Sequence, residues 1–189
     1  MRGTVIIMAK APIMGRAKTR LAADIGLVHA HRLYKMMMSR VIRGVQDPRW
    51  DTVLAVTPAP MMHNVPMWQG VPQMPQTSGS LTPRLQAVFD MKGPVVVIGT
   101  DCPDVSRTDI ADAFKAIKRG HAVLGPADDG GFWLIGLHGP ARADLFDNVR
   151  WSHSQTMADM AARFSRPVRQ LRRLIDVDDK IALDGWRGT

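Results

Sequence analysis

Apolar positions along the chain alternate between two periods. Short apolar runs occupy 4–8, 52–57 and 94–98, rich in β-branched residues, and 121–125 and 132–137, the last aromatic and aliphatic; runs of this length predict strands. Longer stretches repeat apolar residues at helical spacing. Leu33, Met37, Val41 and Val45 mark such a face over 28–46, Leu81, Leu85, Val88 and Phe89 continue it up to 91, and Ile110, Ala113, Phe114 and Ile117 follow after 106. Met157, Met160, Ala161 and Phe164 predict a helix over 154–165, followed by an edge strand at 168–171. The punctuation agrees: Thr82 and Pro83 stand as cap and first helical residue, Ser106 and Asp109 have capping-box spacing, and Ser154 and Asp178 are placed to cap the last two helices. Repeated alternation of strand and helix predicts an α/β fold, a three-layer α/β/α Rossmann-like arrangement with a mostly parallel central sheet. No repeat or linker interrupts 1–189, so one domain is expected.

One segment breaks the pattern. Residues 58–80 hold five prolines, four methionines and Trp68. A connection of this length is either a substrate lid or a flexible segment, and the pattern leaves both open.

Composition adds exclusions. The chain of 189 residues is 46% hydrophobic and 22% charged, ordinary for a globular domain. Its apolar runs are too short to span a membrane, and the start lacks the features of a signal peptide, so a cytoplasmic location is expected. A single cysteine, Cys102, excludes a disulfide within the chain. The net charge of +8 raises nucleic acid as a partner. Its distribution argues otherwise. Arg2, Lys10, Arg16, Lys18, Arg20, Arg32, Lys35 and Arg40 face one acid, Asp24, in the first forty residues, without interleaved aromatics or a reading module. Small phosphorylated ligands are the expected partners, and no nucleic acid. The six histidines lack metal-ligand spacing, and the G-x-S-x-G and H-E-x-x-H patterns are absent.

Three stretches carry candidate chemistry. The run at 94–98 reads as a strand buried on both faces and leads through Gly99 and Thr100 to Asp101, where open α/β sheets place their ligands. A loop cap is the competing reading of Asp101. After the first strand, 10–20 combines Lys10, Gly15, Arg16, Lys18 and Arg20, which suits a diphosphate over a helix N-terminus. It is neither a Walker A nor a G-x-G-x-x-G pattern. Asp128, Asp129, Gly130 and Gly131 combine carboxylates with close backbone approach, although Asp-Gly taken alone favours a hairpin turn.

Taken together, Lys10-Ala11-Pro12, Gly15 and Lys18-Thr19-Arg20-Leu21, then Gly99-Thr100-Asp101-Cys102-Pro103, Gly125-Pro126-Ala127 with Asp129-Gly130-Gly131, and Asp176-Val177-Asp178 resemble the bacterial DUF2064 family. That family is grouped with nucleotide-diphospho-sugar transferases of GT-A type, and the Lys-Thr-Arg-Leu segment is also similar to phospholactate guanylyltransferase. The resemblance implies that Asp101 holds a divalent ion, Mg²⁺ or Mn²⁺, with Asp176 and Asp178 completing the site. It implies that Lys18 and Arg20 neutralise the leaving diphosphate beside Lys10, Gly15 and Thr100, and that Asp129, Gly130 and Gly131 face the sugar or acceptor, with Asp101 and Asp129 as the catalytic pair. Crowded carboxylates would repel without an ion, so neutralising Asp101 is expected to spare or stabilise the metal-free fold. The sequence departs from the family at Gly79-Ser80-Leu81-Thr82, where Gly-Asp-Leu-Gly is usual, at Phe132 for Tyr and at Asp179 for Thr.

Three functions fit. The favoured one is metal-dependent glycosyl transfer from a nucleotide-diphospho-sugar to a small-molecule acceptor. The alternatives are nucleotidyl transfer from a nucleoside triphosphate with release of pyrophosphate, and noncatalytic nucleotide binding.

Overall fold

The computed structural model describes residues 1–188. Seven strands form one sheet in the order β3-β2-β1-β4-β6-β5-β7. They are β1 (Gly3–Lys10), β2 (Trp50–Thr57), β3 (Gln73–Pro75), β4 (Gly93–Ile98), β5 (Ala122–Pro126), β6 (Phe132–Gly139) and β7 (Val168–Gln170). β6 pairs antiparallel with both β4 and β5, and the remaining pairings are parallel. The expected α/β architecture with a mostly parallel sheet is therefore present, with one reversed strand.

Residue alternation along β1 sorts the layers. Val5, Ile7 and Ala9 pack on one face with α2 (Leu27–Val45) and α4 (Arg107–Lys118), through Met38, Val41, Val45, Ile110 and Phe114. Ile6 points to the other face, where Leu85 and Phe89 of α3 (Leu81–Phe89) and Met160 of α5 (Thr156–Ala162) close the core. β4 is buried at every residue, as its uninterrupted β-branched run requires.

A third apolar cluster lies apart. Leu21 of α1 (Thr19–Ile25), Leu33 and Met37 of α2, Val177 in the segment before α6, and Leu183 of α6 (Lys180–Arg187) pack together. This packing of the first helix on the last brings Lys18, at the entry to α1, to the acids that precede α6.

Several boundaries differ from the sequence reading. Segment 58–80 contains two 3₁₀ turns, Ala59–Met61 and Pro66–Trp68, and the edge strand β3. Trp68 is fully buried and its Nε1–H donates to Met38 Sδ at 3.1 Å, so this largely surface connection is anchored to the core through Val65, Trp68 and Val71. α3 begins at Leu81, and Thr82 is no cap: its hydroxyl donates to the Phe146 carbonyl at 3.3 Å and accepts from Trp151 Nε1 at 2.8 Å. Gln155 rather than Ser154 precedes α5. Asp179 caps α6 in place of Asp178, accepting from the Ala182 N–H at 2.9 Å. The capping box at Ser106 and Asp109 forms as expected. Of the three consecutive methionines, Met37 and Met38 are core and Met36 is exposed.

Candidate metal and phosphate site

Asp101 follows β4 by three residues and sits at the carboxyl edge of the sheet. After β7 the chain runs along the neighbouring strand: the Leu171 N–H donates to the Leu124 carbonyl, Leu174 to Pro126, and Val177 to Asp101 at 3.0 Å. Val177, buried in the α1–α2–α6 cluster, thus holds its flanking acids against Asp101. Carboxylate oxygens of Asp101, Asp176 and Asp178 lie within 4.8 Å of one another.

Lys18 enters this group from the β1–α1 loop. Its Nζ lies 2.6 Å from Asp101 Oδ1 and 2.5 Å from Asp178 Oδ1, and its side chain is 3% exposed. The residue has φ 51°, a left-handed conformation unusual for a side-chain-bearing residue. Burial alone would lower its pKa, but the opposed charges of Asp101, Asp178 and Asp176 outweigh it and the ammonium is held well above its ordinary range. The Asp176 pKa is also raised, which for a carboxyl favours the neutral form. Burial, reinforced by Asp101, pushes its carboxyl up to about 7, and its buried Oδ1 has no hydrogen-bond partner.

The donor set fits a divalent ion. Three carboxylates converge, one with a buried unpartnered oxygen, and hard oxygen ligands suit Mg²⁺ or Mn²⁺. Cys102 adjoins the cluster, and burial with the charges of Asp176 and Asp101 pushes its thiol well up, which favours the neutral thiol over the reactive thiolate.

The other sequence candidates surround this group unevenly. Asp129, Gly130 and Gly131 form the tip of the β5–β6 hairpin, so the turn reading of Asp-Gly is correct. Asp129 Oδ1 accepts from the Gly131 N–H at 2.8 Å, and its charge reaches Asp176. Gly130 has φ +86°, and a Cβ there would fall 2.1 Å from the Ser154 carbonyl oxygen. Thr100 is buried beside Asp101. Gly15, with φ +75°, and Arg20 are exposed, and Arg20 has no ion-pair partner among the described residues. Lys10 is exposed, while its carbonyl accepts from the Tyr34 hydroxyl at 2.8 Å. Lys18, expected to neutralise a diphosphate, is here buried and paired with the carboxylates of Asp101 and Asp178.

Sequence reasoning missed two supports of the site. Tyr34 ties α2 to the end of β1, and Val177 ties 176–178 to Asp101. A lone apolar residue between two acids was the available signal for Val177. Burial of one position in an otherwise acidic segment implies packing.

Comparison with solved structures finds the same fold. A Desulfovibrio desulfuricans G20 protein, described as a candidate nucleotide-diphospho-sugar transferase, superposes with TM-score 0.85 at 25% identity, covering 98% of this chain and 87% of that one. A Mycobacterium tuberculosis H37Rv protein solved in complex with manganese gives TM-score 0.56 at 14% identity over 98% and 97% of the two chains. CMP:2-keto-3-deoxy-manno-octonic acid synthetase complexed with CTP gives 0.55 at 11% over 100% and 98%. No curated protein matches the chain in sequence. The family model described as "Uncharacterized protein conserved in bacteria (DUF2064)" matches residues 41–153, and the chain belongs to that family.

Proposed function

We propose that this protein is a divalent-metal-dependent transferase that takes a nucleotide-diphospho-sugar and moves its glycosyl group to a small-molecule acceptor. The observation that carries this reading is the convergence of Lys18 with Asp101, Asp176 and Asp178 at the carboxyl edge of the sheet. The likeness to the Desulfovibrio protein supports the donor class.

Asp101, Asp176 and Asp178 would hold Mg²⁺ or Mn²⁺, which when bound neutralises a diphosphate and stabilises charge on the leaving group. The chain's own residues supply the rest. The β1–α1 loop offers Lys10, Gly15, Lys18 and Arg20 to phosphate oxygens; charge-assisted contacts of this kind are the strong ones. Thr100, buried next to Asp101 in the chain, would stand beside the bound phosphate. Asp129 engages one carboxylate oxygen in its own turn, leaving the other to accept a hydroxyl hydrogen bond or a proton from sugar or acceptor. Gly130 lets the hairpin tip pack against the Ser154 backbone, and Gly131 gives Asp129 the N–H that orients its carboxylate toward that ligand.

Nucleotidyl transfer is the second reading, favoured by the shared fold of the CTP-bound synthetase. The same ion and cations would then hold a nucleoside triphosphate and release pyrophosphate. A single assay separates the two. Nucleotide sugars and nucleoside triphosphates are incubated with the protein, Mn²⁺ and a panel of acceptors. Release of nucleoside diphosphate or monophosphate supports glycosyl transfer, and pyrophosphate supports the second reading. Binding of nucleotides without turnover would mark a noncatalytic binder, and no thermal shift with any nucleotide and Mn²⁺ would refute both enzyme readings.

A further inference from the structure

We propose that Lys18 is the resident counter-ion of the Asp101, Asp176 and Asp178 cluster. It is exchanged for a divalent ion when a phosphate-bearing ligand arrives to take the released ammonium, so that the site selects ion and phosphate together over either alone. The inference rests on the metal and phosphate reading given above and adds how the two bind.

Competition for the same carboxylates is the first ground. Lys18 Nζ contacts Asp101 Oδ1 and Asp178 Oδ1 at 2.6 and 2.5 Å, and these two residues supply oxygens to the group that lies within 4.8 Å. Ammonium and divalent ion cannot both use them fully. The ammonium is also an incomplete partner, because Asp176 Oδ1 remains buried and unpaired beside it. Ions with six or more oxygen ligands can satisfy what a three-donor ammonium does not.

Displacement of Lys18 has a cost that decides the order of events. Its side chain is 3% exposed, and a buried charge deprived of its partner is strongly unfavourable. Arrival of the ion alone would strand the ammonium. A phosphate in the β1–α1 loop gives it a new partner within the same loop, which already presents Gly15 at positive φ and exposed Arg16 and Arg20. The backbone is anchored for such a swing: the Lys18 carbonyl accepts from the Ala22 N–H at 2.8 Å, starting α1. The side chain can therefore turn from carboxylate to phosphate without unwinding the helix. Because the ion improves phosphate binding, phosphate must improve ion binding by the same factor.

Titration of Mn²⁺ into the full chain, with bound Mn²⁺ read by electron paramagnetic resonance, tests this without turnover. The probes are Mn²⁺ alone and Mn²⁺ with excess inorganic phosphate, a weak Mn²⁺ ligand. Wild type should bind Mn²⁺ about fivefold or more tightly when phosphate is present, and Lys18→Gln should bind Mn²⁺ alone about tenfold more tightly than wild type and lose the phosphate effect. Lys18→Met serves as the second variant if Lys18→Gln does not fold, with melting curves as the control. The wild-type arm requires neither. Equal or weaker Mn²⁺ affinity in the folded variants, or no phosphate effect in wild type, overturns the counter-ion exchange while leaving the metal site standing. Absence of Mn²⁺ binding in every arm overturns the metal reading itself, and the exchange with it.

Discussion

The Val177 N–H donates to the Asp101 carbonyl at 3.0 Å, so the residue that separates Asp176 from Asp178 hangs from the strand that delivers Asp101. Crowding of the carboxylates is thereby fixed by the backbone, and its energetic consequence is open to measurement.

In metal-free protein Asp176 titrates near 7 when folded and near its ordinary 3.8 when unfolded, burial and the Asp101 charge being the cause. Between those values the folded state binds the extra proton, so stability falls as pH rises from about 4 to about 7, by on the order of 2–4 kcal/mol, and the loss is complete above that window. Asp47 and Asp159, held down to about 2 by Arg49 and Arg150, exert their effect at lower pH. Asp176→Asn should therefore melt higher than wild type at about pH 8 in chelator and gain little at about pH 4. Melting-temperature differences that do not change with pH would contradict this.

Asp101→Asn should behave oppositely in the metal-free protein. Relief of repulsion between carboxylates favours stabilisation, but the structure supplies Lys18 as a buried partner at 2.6 Å, and neutralising Asp101 leaves that ammonium to Asp178 alone. With Asp101 38% exposed, the loss is discounted from the buried-pair range to about 1–3 kcal/mol. Urea unfolding in chelator measures it, and a variant as stable as wild type would show that Lys18 contributes no net stabilisation there.

Asp109 both completes the capping box of α4, accepting from the Ser106 N–H at 2.9 Å, and receives Arg172, at 2.7 Å from Nε and 2.9 Å from Nη2. Burial would raise its pKa, but the Arg172 and Ser106 hydrogen bonds hold the carboxyl below its ordinary range. Asp109→Ala should cost about 2–3 kcal/mol, combining a lost cap with a lost charge-assisted pair. Arg172→Ala, whose side chain is half exposed, should cost less. The reverse ranking in denaturant midpoints would mean the cap is minor.

Gly130→Ala places a methyl group 2.1 Å from the Ser154 carbonyl at φ +86°. Both the clash and the left-handed backbone act against it, predicting a loss of about 2–4 kcal/mol. Hydrogen exchange should quicken at Met157, whose N–H donates to the Gly130 carbonyl at 3.0 Å; unchanged protection would show that the hairpin tip does not brace α5.

Trp68→Ala should destabilise by about 3–5 kcal/mol, the range for large buried aromatics. Amide exchange around Trp68 should be slow and the same with or without nucleotide and Mn²⁺. Slowing on ligand addition would restore the lid reading of this connection.

The sheet and its helices were legible because their periodicity survives in the residues: β4 reads as buried on both faces and is so, and the Ser106–Asp109 box needs only local spacing. Asp101 was legible for the same reason, as the acid beyond a buried strand. Trp68 was not, because prolines hide the short β3 and the two turns that carry it inward. The direction of β6 was equally hidden, since a buried apolar run has no polarity; only the Asp-Gly turn hinted at a hairpin. Lys18 looked like one more loop cation. Its role depends on α1 and α6 meeting across most of the chain, and local spacing carries no trace of that meeting.

The reversal of β6 also bears on how this site can change. Its hairpin turns back within residues 127–131, Gly130 is wedged beneath Ser154, and Val177 pins the opposite wall. Insertions or deletions on these two sides would break a strand pairing or a wedge that the core depends on. Change around the acidic cluster is thereby channelled into exchanges of exposed side chains at Asp128 and Asp129, and into the length of the β1–α1 loop around Gly15, which lies outside the strand pairings.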